Sequence, residues 1–248
     1  MRKLKEEKPW FVDWFDENYR MLYRHRNSED AKDQVQLILN TLNPSKSSVI
    51  LDLCCGEGRY TDIFRKLGFR IAGLDLSETL IRFGKKRDPL LNLMVGDMRE
   101  IPGHYDYIFS LFTSFGYFDT DCENARTLES VFQALNPGGY YWLDFLNAPY
   151  VKTHLVPESI STLASGIEVV EKRKVENGRI IKDIHFRGDN LINGNKNYQE
   201  SVRLFSRESL EKLFREAGFT LKNSFGDYQG NPWQTGSERT ILVGRKEH

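Results

Sequence analysis

The sequence predicts an α/β protein with a doubly wound, mostly parallel sheet and a small antiparallel insert. Three observations predict it. Short apolar runs alternate with helical stretches from about residue 48 to 146, and the first run ends in a glycine turn. Period-two patterning then takes over within 150–204. The chain's 248 residues suit one such domain with an insertion. A composition of 40% hydrophobic and 28% charged residues allows a substantial core beneath a solvated surface.

Taken in order, an aromatic-rich stretch with Trp10, Phe11, Trp14, Phe15, Tyr19 and Tyr23 has roughly helical spacing over 10–26. A second helix is expected from about Glu29 to Leu42, with Val35, Leu37, Ile38 and Leu42 on its apolar face. Val49 to Leu53 reads as a buried parallel strand. A helix over Tyr60–Leu67, a strand over Phe69–Leu74 and a helix capped by Ser77 follow, the last with Leu80, Ile81 and Phe83 facing inward. Strands are expected at Asn92–Val95 and Tyr107–Leu111. Asp121–Leu135 reads as a helix stopped by Asn136-Pro137-Gly138-Gly139, and Tyr140–Leu146 as a fifth strand.

Within 150–204, Ile167–Val175 and Ile180–Arg187 flank Asn177-Gly178, a strong hairpin signal, and Asn193-Gly194 marks a turn before Gln199–Phe205. Ser206 then caps a helix over Arg207–Glu216, and strands are expected at Thr220–Phe225 and Arg239–Arg245. The expected division is a helical lid over 1–47, a core over 48–149 and 205–248, and an antiparallel insert over 150–204.

Thirty-five basic residues balance thirty-five acidic ones, so no global field draws nucleic acid or an anionic membrane to the chain. The aromatic N-terminal stretch has no basic run beside it, which favours helix packing over base stacking. Three cysteines lack disulfide or zinc spacing and fit a reducing compartment, and no metal site is expected. The charged start, Met1 to Lys8, has no apolar run behind it, and no segment approaches the ~18–20 apolar residues that span a bilayer. The expected address is the cytoplasm, with no membrane partner.

The chemistry gathers where strands end. The first strand delivers Asp52 and then Gly56-Glu57-Gly58, a turn that lets backbone approach a ligand closely. A dinucleotide fingerprint needs a third glycine, where Thr61 stands, and Asp52 would repel a diphosphate while pairing with an ammonium group. Asp75, 19 positions beyond Gly56, offers two acceptor oxygens suited to the hydroxyls of a ribose. Asp97 is placed to accept from an adenine amino group, with Met98 against the ring. Each acid alone has a plain reading, Asp75 as a helix N-terminal acid and Asp97 as a turn residue. The set of three at successive strand tips is what points to a nucleoside with an amino-acid end.

Leu51-Asp52-Leu53-Cys54-Cys55-Gly56-Glu57-Gly58, Gly73-Leu74-Asp75-Leu76-Ser77 and Gly96-Asp97-Met98-Arg99 resemble the successive cofactor motifs of class I S-adenosylmethionine-dependent methyltransferases. Leu135 to Gly139 and Phe205 to Phe219 look like later landmarks of that family. The resemblance implies a seven-stranded sheet of order 3-2-1-4-5-7-6 with the last strand antiparallel. It also implies S-adenosylmethionine as cofactor and S-adenosylhomocysteine as product. Cofactor contacts are then expected from Asp52, Leu53, Cys54, Gly56 and Gly58 at the first tip, and from Asp75 and Leu76 at the second. Gly96, Asp97 and Met98 serve at the third. The run Leu111 to Tyr117 is similar to that of amino-sugar N,N-dimethyltransferases. By that similarity Leu111 and Phe112 line the cofactor, Tyr117 borders the acceptor, and the insert over 150–204 covers the substrate pocket.

The expected function is methyl transfer to N or O of a small molecule. The alternatives are an RNA or protein methyltransferase on the same fold, or a cofactor-binding protein without turnover. The fourth strand lacks the Asn/Asp-Pro-Pro-aromatic run of amino-methylating nucleic-acid enzymes, and Cys122 lacks a preceding proline, so a nucleic-acid partner is not favoured. Tyr23, His25 and Arg26 are lid candidates, with Tyr23 and Arg26 touching cofactor. Asp144 and Asn147 end the fifth strand, and Asn147 either meets the acceptor or forms a turn before Pro149. His185 and His154 are candidate bases or surface histidines. Tyr228 and Trp233 form either an aromatic wall or loop anchors. A monomer or a homodimer is expected.

Overall fold

The structure, a computed structural model, describes residues 8–24, 28–188 and 196–248, without the side chains of 28–30. Two short helices, α1 (Trp10–Trp14) and α2 (Glu17–Leu22), precede α3 (Ser28–Leu42). The aromatic stretch is therefore not one helix. It breaks at Phe15-Asp16 because Asp16 leaves helical geometry and caps α2, its carboxylate accepting from the N–H groups of Asn18 and Tyr19.

The alternation then runs as expected: β1 (Val49–Leu53), α4 (Arg59–Lys66), β2 (Arg70–Asp75), α5 (Glu78–Arg87), β3 (Leu93–Val95), β4 (Tyr105–Ser110), α6 (Asp121–Ala134) and β5 (Leu135–Leu146). After it come α7 (Ala148–His154), β6 (Glu158–Thr162), β7 (Glu168–Glu176), β8 (Arg179–Arg187), β9 (Lys196–Arg203), α8 (Arg207–Glu216), β10 (Thr220–Phe225) and β11 (Arg239–Arg245). The main sheet has the order β3-β2-β1-β4-β5-β11-β10, with β11 antiparallel to both its neighbours. This is the 3-2-1-4-5-7-6 arrangement.

Helices cover both faces of the sheet. Leu51, Ile108, Leu143 and Phe145 pack with α6 and α8 through Leu128, Val131, Leu210 and Phe214. Ile50, Phe109, Trp142 and Val243 pack on the other face with α3 and α4 through Val35, Ile38, Tyr60 and Phe64. Each large apolar side chain fully buried there contributes about 1.5–3 kcal/mol. Period-two alternation divides every strand between the two layers, so Asp52 necessarily shares the face of Ile50 and points toward α4.

Two local expectations change, and two elements were not anticipated. The helix ends at Ala134, one residue before the expected end, and β5 starts at Leu135, not Tyr140. Tyr105 pairs with Leu135 and Tyr107 with Tyr140, so Asn136 to Gly139 bulge from the ladder, where proline's missing N–H costs nothing. Phe83 is only half buried, and the Arg20 guanidinium lies 4.3 Å over its ring. Helix α7 and strand β6 had no clear period in the sequence. The second sheet is β6-β7-β8-β9, all antiparallel, and its β7–β8 hairpin turns at Asn177 (φ 50°) and Gly178 (φ 71°), both left-handed as a two-residue turn requires. The Asn193-Gly194 turn lies outside the described residues.

Candidate active site

The carboxyl ends of β1, β2, β4 and β5 open into one cleft of about 860 Å³, roofed by α1, α2 and the inner face of the second sheet. A cleft at this edge of a parallel sheet is where such folds bind ligands, and its volume suits a cofactor together with a small acceptor. Asp52, Asp75 and Asp97 all line it.

The first turn explains how these acids are held. Cys54 (φ 61°), Gly56 (φ 57°) and Gly58 (φ 75°) are all left-handed, which folds the chain back from β1 into α4. Asp75 reaches across from β2: its Oδ2 accepts from Gly56 N–H at 2.8 Å and its Oδ1 from Ser77 N–H at 2.8 Å. Burial raises its pKa against those two hydrogen bonds. Asp52 differs from expectation. It is buried, and its Oδ2 accepts from both the N–H and the hydroxyl of Thr61, at 3.0 and 2.7 Å. Thr61, at the position of a dinucleotide fold's third glycine, thus ties the acid to the first turn of α4. Burial pushes the Asp52 carboxyl up to about 7.

Asp97 is also already engaged. Arg99 approaches it with Nε and Nη2, the latter at 2.6 Å, and with its backbone N–H at 2.8 Å. Burial works to raise the Asp97 pKa, but the Arg99 bonds and charge outweigh it and hold the group below the usual range. Beside it Met98 Sδ lies 4.0 Å from Cys54 Sγ. Burial raises both the Cys54 and Cys55 thiols, which leaves them protonated.

Leu53, Cys54, Gly56, Leu76 and Gly96 line the cleft, as do Leu111, Phe112 and Tyr117. Gly58 does not. It stands behind the wall, where a Cβ would come within 2.8 Å of Leu93 Cδ2, so its role is to let the turn before α4 lie close against Leu93 of β3. Phe112 (φ 60°) and Thr113 (φ 69°) form a strained left-handed pair at the tip of β4. Asp144 holds it, accepting from Phe112 N–H at 2.9 Å with its carboxylate and from Thr113 N–H at 3.2 Å with its carbonyl. Arg239 donates to Asp144 at 2.7 Å and to Thr113 Oγ1 at 2.8 Å, while Gln34 and Tyr228 donate to the same carboxylate.

The acceptor-side candidates fare worse. Asn147 is buried away from the cleft, its amide donating to the carbonyls of Thr235 and Ser237, so it anchors the loop before β11. His185 sits on the outer face of β8 beside Asn197, and His154 is exposed on α7 against Tyr150; neither lines the cleft. Tyr228 and Trp233 form no wall: Tyr228 serves Asp144 and Trp233 bonds Thr240. Tyr23 lines the cleft, with its hydroxyl turned to Lys182 and Glu200 of the insert. Arg26 and His25 lie outside the described residues.

Sequence reasoning missed Arg239, Lys182, Glu200 and Arg173, all cleft residues. Arg239 looked like the polar start of a strand. Arg173 and Lys182 are charged interruptions in the otherwise apolar inner face of the β7–β8 hairpin, and Glu200 lies across from Lys182 on β9, so nothing in the alternation marked them as covered.

A parallel sheet of this order, with an acid at each of three adjoining strand tips around one cleft, defines a class I nucleoside-cofactor enzyme. The family described as "Methyltransferase domain" matches residues 23–223, and the chain belongs to it as a class I S-adenosylmethionine-dependent methyltransferase. A dTDP-3-amino-3,4,6-trideoxy-alpha-D-glucopyranose N,N-dimethyltransferase of Streptomyces venezuelae is 26% identical over 224 residues, covering 86% of this chain and 92% of that enzyme. The glycine/sarcosine N-methyltransferase of Halorhodospira halochloris is 25% identical, covering 88% and 82%. A crystal structure of an S-adenosylmethionine-dependent methyltransferase from Clostridium acetobutylicum ATCC 824 superposes with a TM-score of 0.78 over 92% of this chain and 96% of that one, at 14% identity.

Proposed function

We propose that this enzyme moves the methyl group of S-adenosylmethionine to the nitrogen of a small-molecule amine held between the strand tips and the insert. One observation carries the reading: Asp52, Asp75 and Asp97 converge on one cleft in a chain of this family. Nitrogen is preferred to oxygen because the two relatives above are N-methyltransferases by name.

The residues present fit the cofactor. Asp75 is fixed by two backbone N–H groups yet keeps lone pairs for two ribose hydroxyls. Gly56 leaves room above its Cα, since a Cβ there would meet only Leu80 Cδ1, at 3.8 Å. Met98, Leu111 and Phe112 offer an apolar slot for adenine, with Asp97 at its edge accepting beside Arg99. Asp52, Cys54 and Gly56 fall to the amino-acid end, where Asp52 contributes charge from behind the turn and Thr61 orients it. When bound, the cofactor supplies an electrophilic methyl on a sulfonium with an excellent leaving group. The protein's part is therefore positioning and exclusion of water. The Asp144–Arg239 pair keeps the Phe112-Thr113 turn in its strained form, and Tyr117, its hydroxyl on Thr113 carbonyl at 2.7 Å, forms the acceptor's border.

A lid made by α1 and α2 belongs to the same proposal, α3 being no part of it because it packs in the core layer on the sheet, as do the cover over 150–204, a cytoplasmic address, a monomer or homodimer and the absence of a nucleic-acid partner. Calorimetric titration with S-adenosylmethionine tests the cofactor assignment. Asp75→Ala should bind about tenfold or more weakly, since a charge-assisted hydrogen bond is worth ~1.5–3 kcal/mol. Unchanged affinity in a folded variant would contradict it.

A further inference from the structure

The inner face of the insert is apolar where it meets the first two helices: Val169, Ile184 and Phe186 pack there with Trp14 and Leu22. Next along the same face the pattern breaks. Lys182 pairs across to Arg173 on β7 and Glu200 on β9, with Glu171 two residues away. Lys182 Nζ lies 3.3 Å from Glu171 and 3.0 Å from Glu200, and these three side chains are only 13%, 14% and 21% exposed. Apolar residues would stabilise such an interface as well as ion pairs do, so the charges suggest another use.

Tyr23, the C-cap of α2, sits at the centre of this cluster. Its hydroxyl donates to Glu200 Oε1 at 3.0 Å and accepts from Lys182, whose ammonium is 4.8 Å from the ring centroid. Trp14 Nε1 donates to the same Glu200 oxygen at 2.7 Å. Arg173 is held by Glu171 at 2.8 Å, and Tyr19 packs on the Tyr23 ring at 4.8 Å. Tyr23, Lys182 and Glu200 all line the cleft.

We infer that Tyr23 and Glu200 are the proton acceptor for the amine, with Lys182 as a positioning residue on the phenol oxygen. This rests on the amine reading given above. An alkyl amine with a pKa of about 8–10 arrives as an ammonium ion, which has no lone pair to take a methyl group. An N–H bond of that ion breaks as its proton bonds to the Tyr23 oxygen, and the Tyr23 proton passes to Glu200 Oε1. The freed nitrogen lone pair then forms the N–C bond as the S–C bond breaks, its electrons remaining on sulfur. Glu200 later releases the proton to water in the cleft, and Lys182 stays paired through Glu171 while Glu200 is neutral.

Among the described residues, the other acids of the cleft have partners of their own. Asp52 serves Thr61, Asp75 serves Gly56 and Ser77, Asp97 serves Arg99, and Glu57 pairs with Arg20 and Arg87. Glu17 pairs with Arg82 at 3.7 Å with 70% of its side chain exposed.

Tyr23→Phe and Glu200→Gln test the inference. Each is compared with wild type for transfer of labelled methyl to a panel of amines (2-amino sugars, glycine, sarcosine) and matching alcohols. Calorimetry follows binding of S-adenosylmethionine and of the same amines. At neutral pH kcat should fall about 10²–10⁴-fold, and the gap should close toward about pH 10, where the amine arrives deprotonated. Amine affinity should fall about tenfold, with cofactor affinity unchanged. A loss equal at every pH, or one that takes cofactor affinity with it, overturns the inference in favour of a clamp between lid and insert. Full activity of Tyr23→Phe on a labelled amine overturns the inference alone. Wild-type transfer confined to alcohols overturns the amine reading with it.

Discussion

Asp144→Ala should both destabilise the protein and loosen its cofactor site. The side chain is fully buried and accepts four hydrogen bonds, from Gln34, Phe112 N–H, Tyr228 and Arg239, at 2.7 to 2.9 Å. Truncation leaves the Arg239 guanidinium, only 15% exposed, without its carboxylate. Breaking one side of a buried pair costs about 3–5 kcal/mol. For a chain of this size each kcal/mol lowers Tm by about 2–4 °C, so a fall of about 6–20 °C is expected by calorimetric scanning. The double variant Asp144→Leu with Arg239→Met removes both charges and should recover most of that loss. It should not recover S-adenosylmethionine affinity, because Phe112 N–H still lacks the acceptor that holds its left-handed turn. A single variant melting within about 2 °C of wild type would refute the reasoning. So would a double variant that regains full cofactor affinity.

Two more predictions follow from the first glycine turn. Burial raises the Asp52 carboxyl to about 7, so its contribution to stability is fully present below its unfolded pKa of about 4 and is lost as pH rises through 7. Asp52→Asn stays neutral and can still accept from Thr61, so its Tm, relative to wild type without cofactor, should climb between pH 5 and pH 8; a constant difference across that range refutes it. Gly58→Ala places a Cβ at φ 75° and 2.8 Å from Leu93 Cδ2, which should cost about 1–3 kcal/mol and lower Tm while cofactor affinity holds. Lost affinity at an unchanged Tm would return Gly58 to the cleft wall.

Much of the architecture was legible because periodicity and caps are local. Asn177-Gly178 turned as its residue types require, and α8, β10 and β11 fell on the expected residues. The break at Asp16 was also written locally, in an Asp followed by polar residues, but the aromatic spacing masked it. The site was legible at the strand tips, since a parallel strand ending in a turn delivers its next side chains to one edge. It was illegible for Asn147 and His185, whose direction depends on which face packs inward and on a loop 87 or more residues away.

By itself the chain's order of residues determined the alternation of strands and helices, the three acids at successive tips, and the family they mark. These follow from spacing, which survives without knowing any long-range contact. Only the tertiary structure decided what each acid does there. It gave Asp52 to Thr61 and Asp97 to Arg99, and it joined Arg239 to Asp144 across 95 residues. It also set Lys182 and Glu200, charged interruptions of the insert's apolar inner face, against Tyr23. A charged side chain in an alternating strand reads the same whether water or another element lies over it, and packing alone determines which.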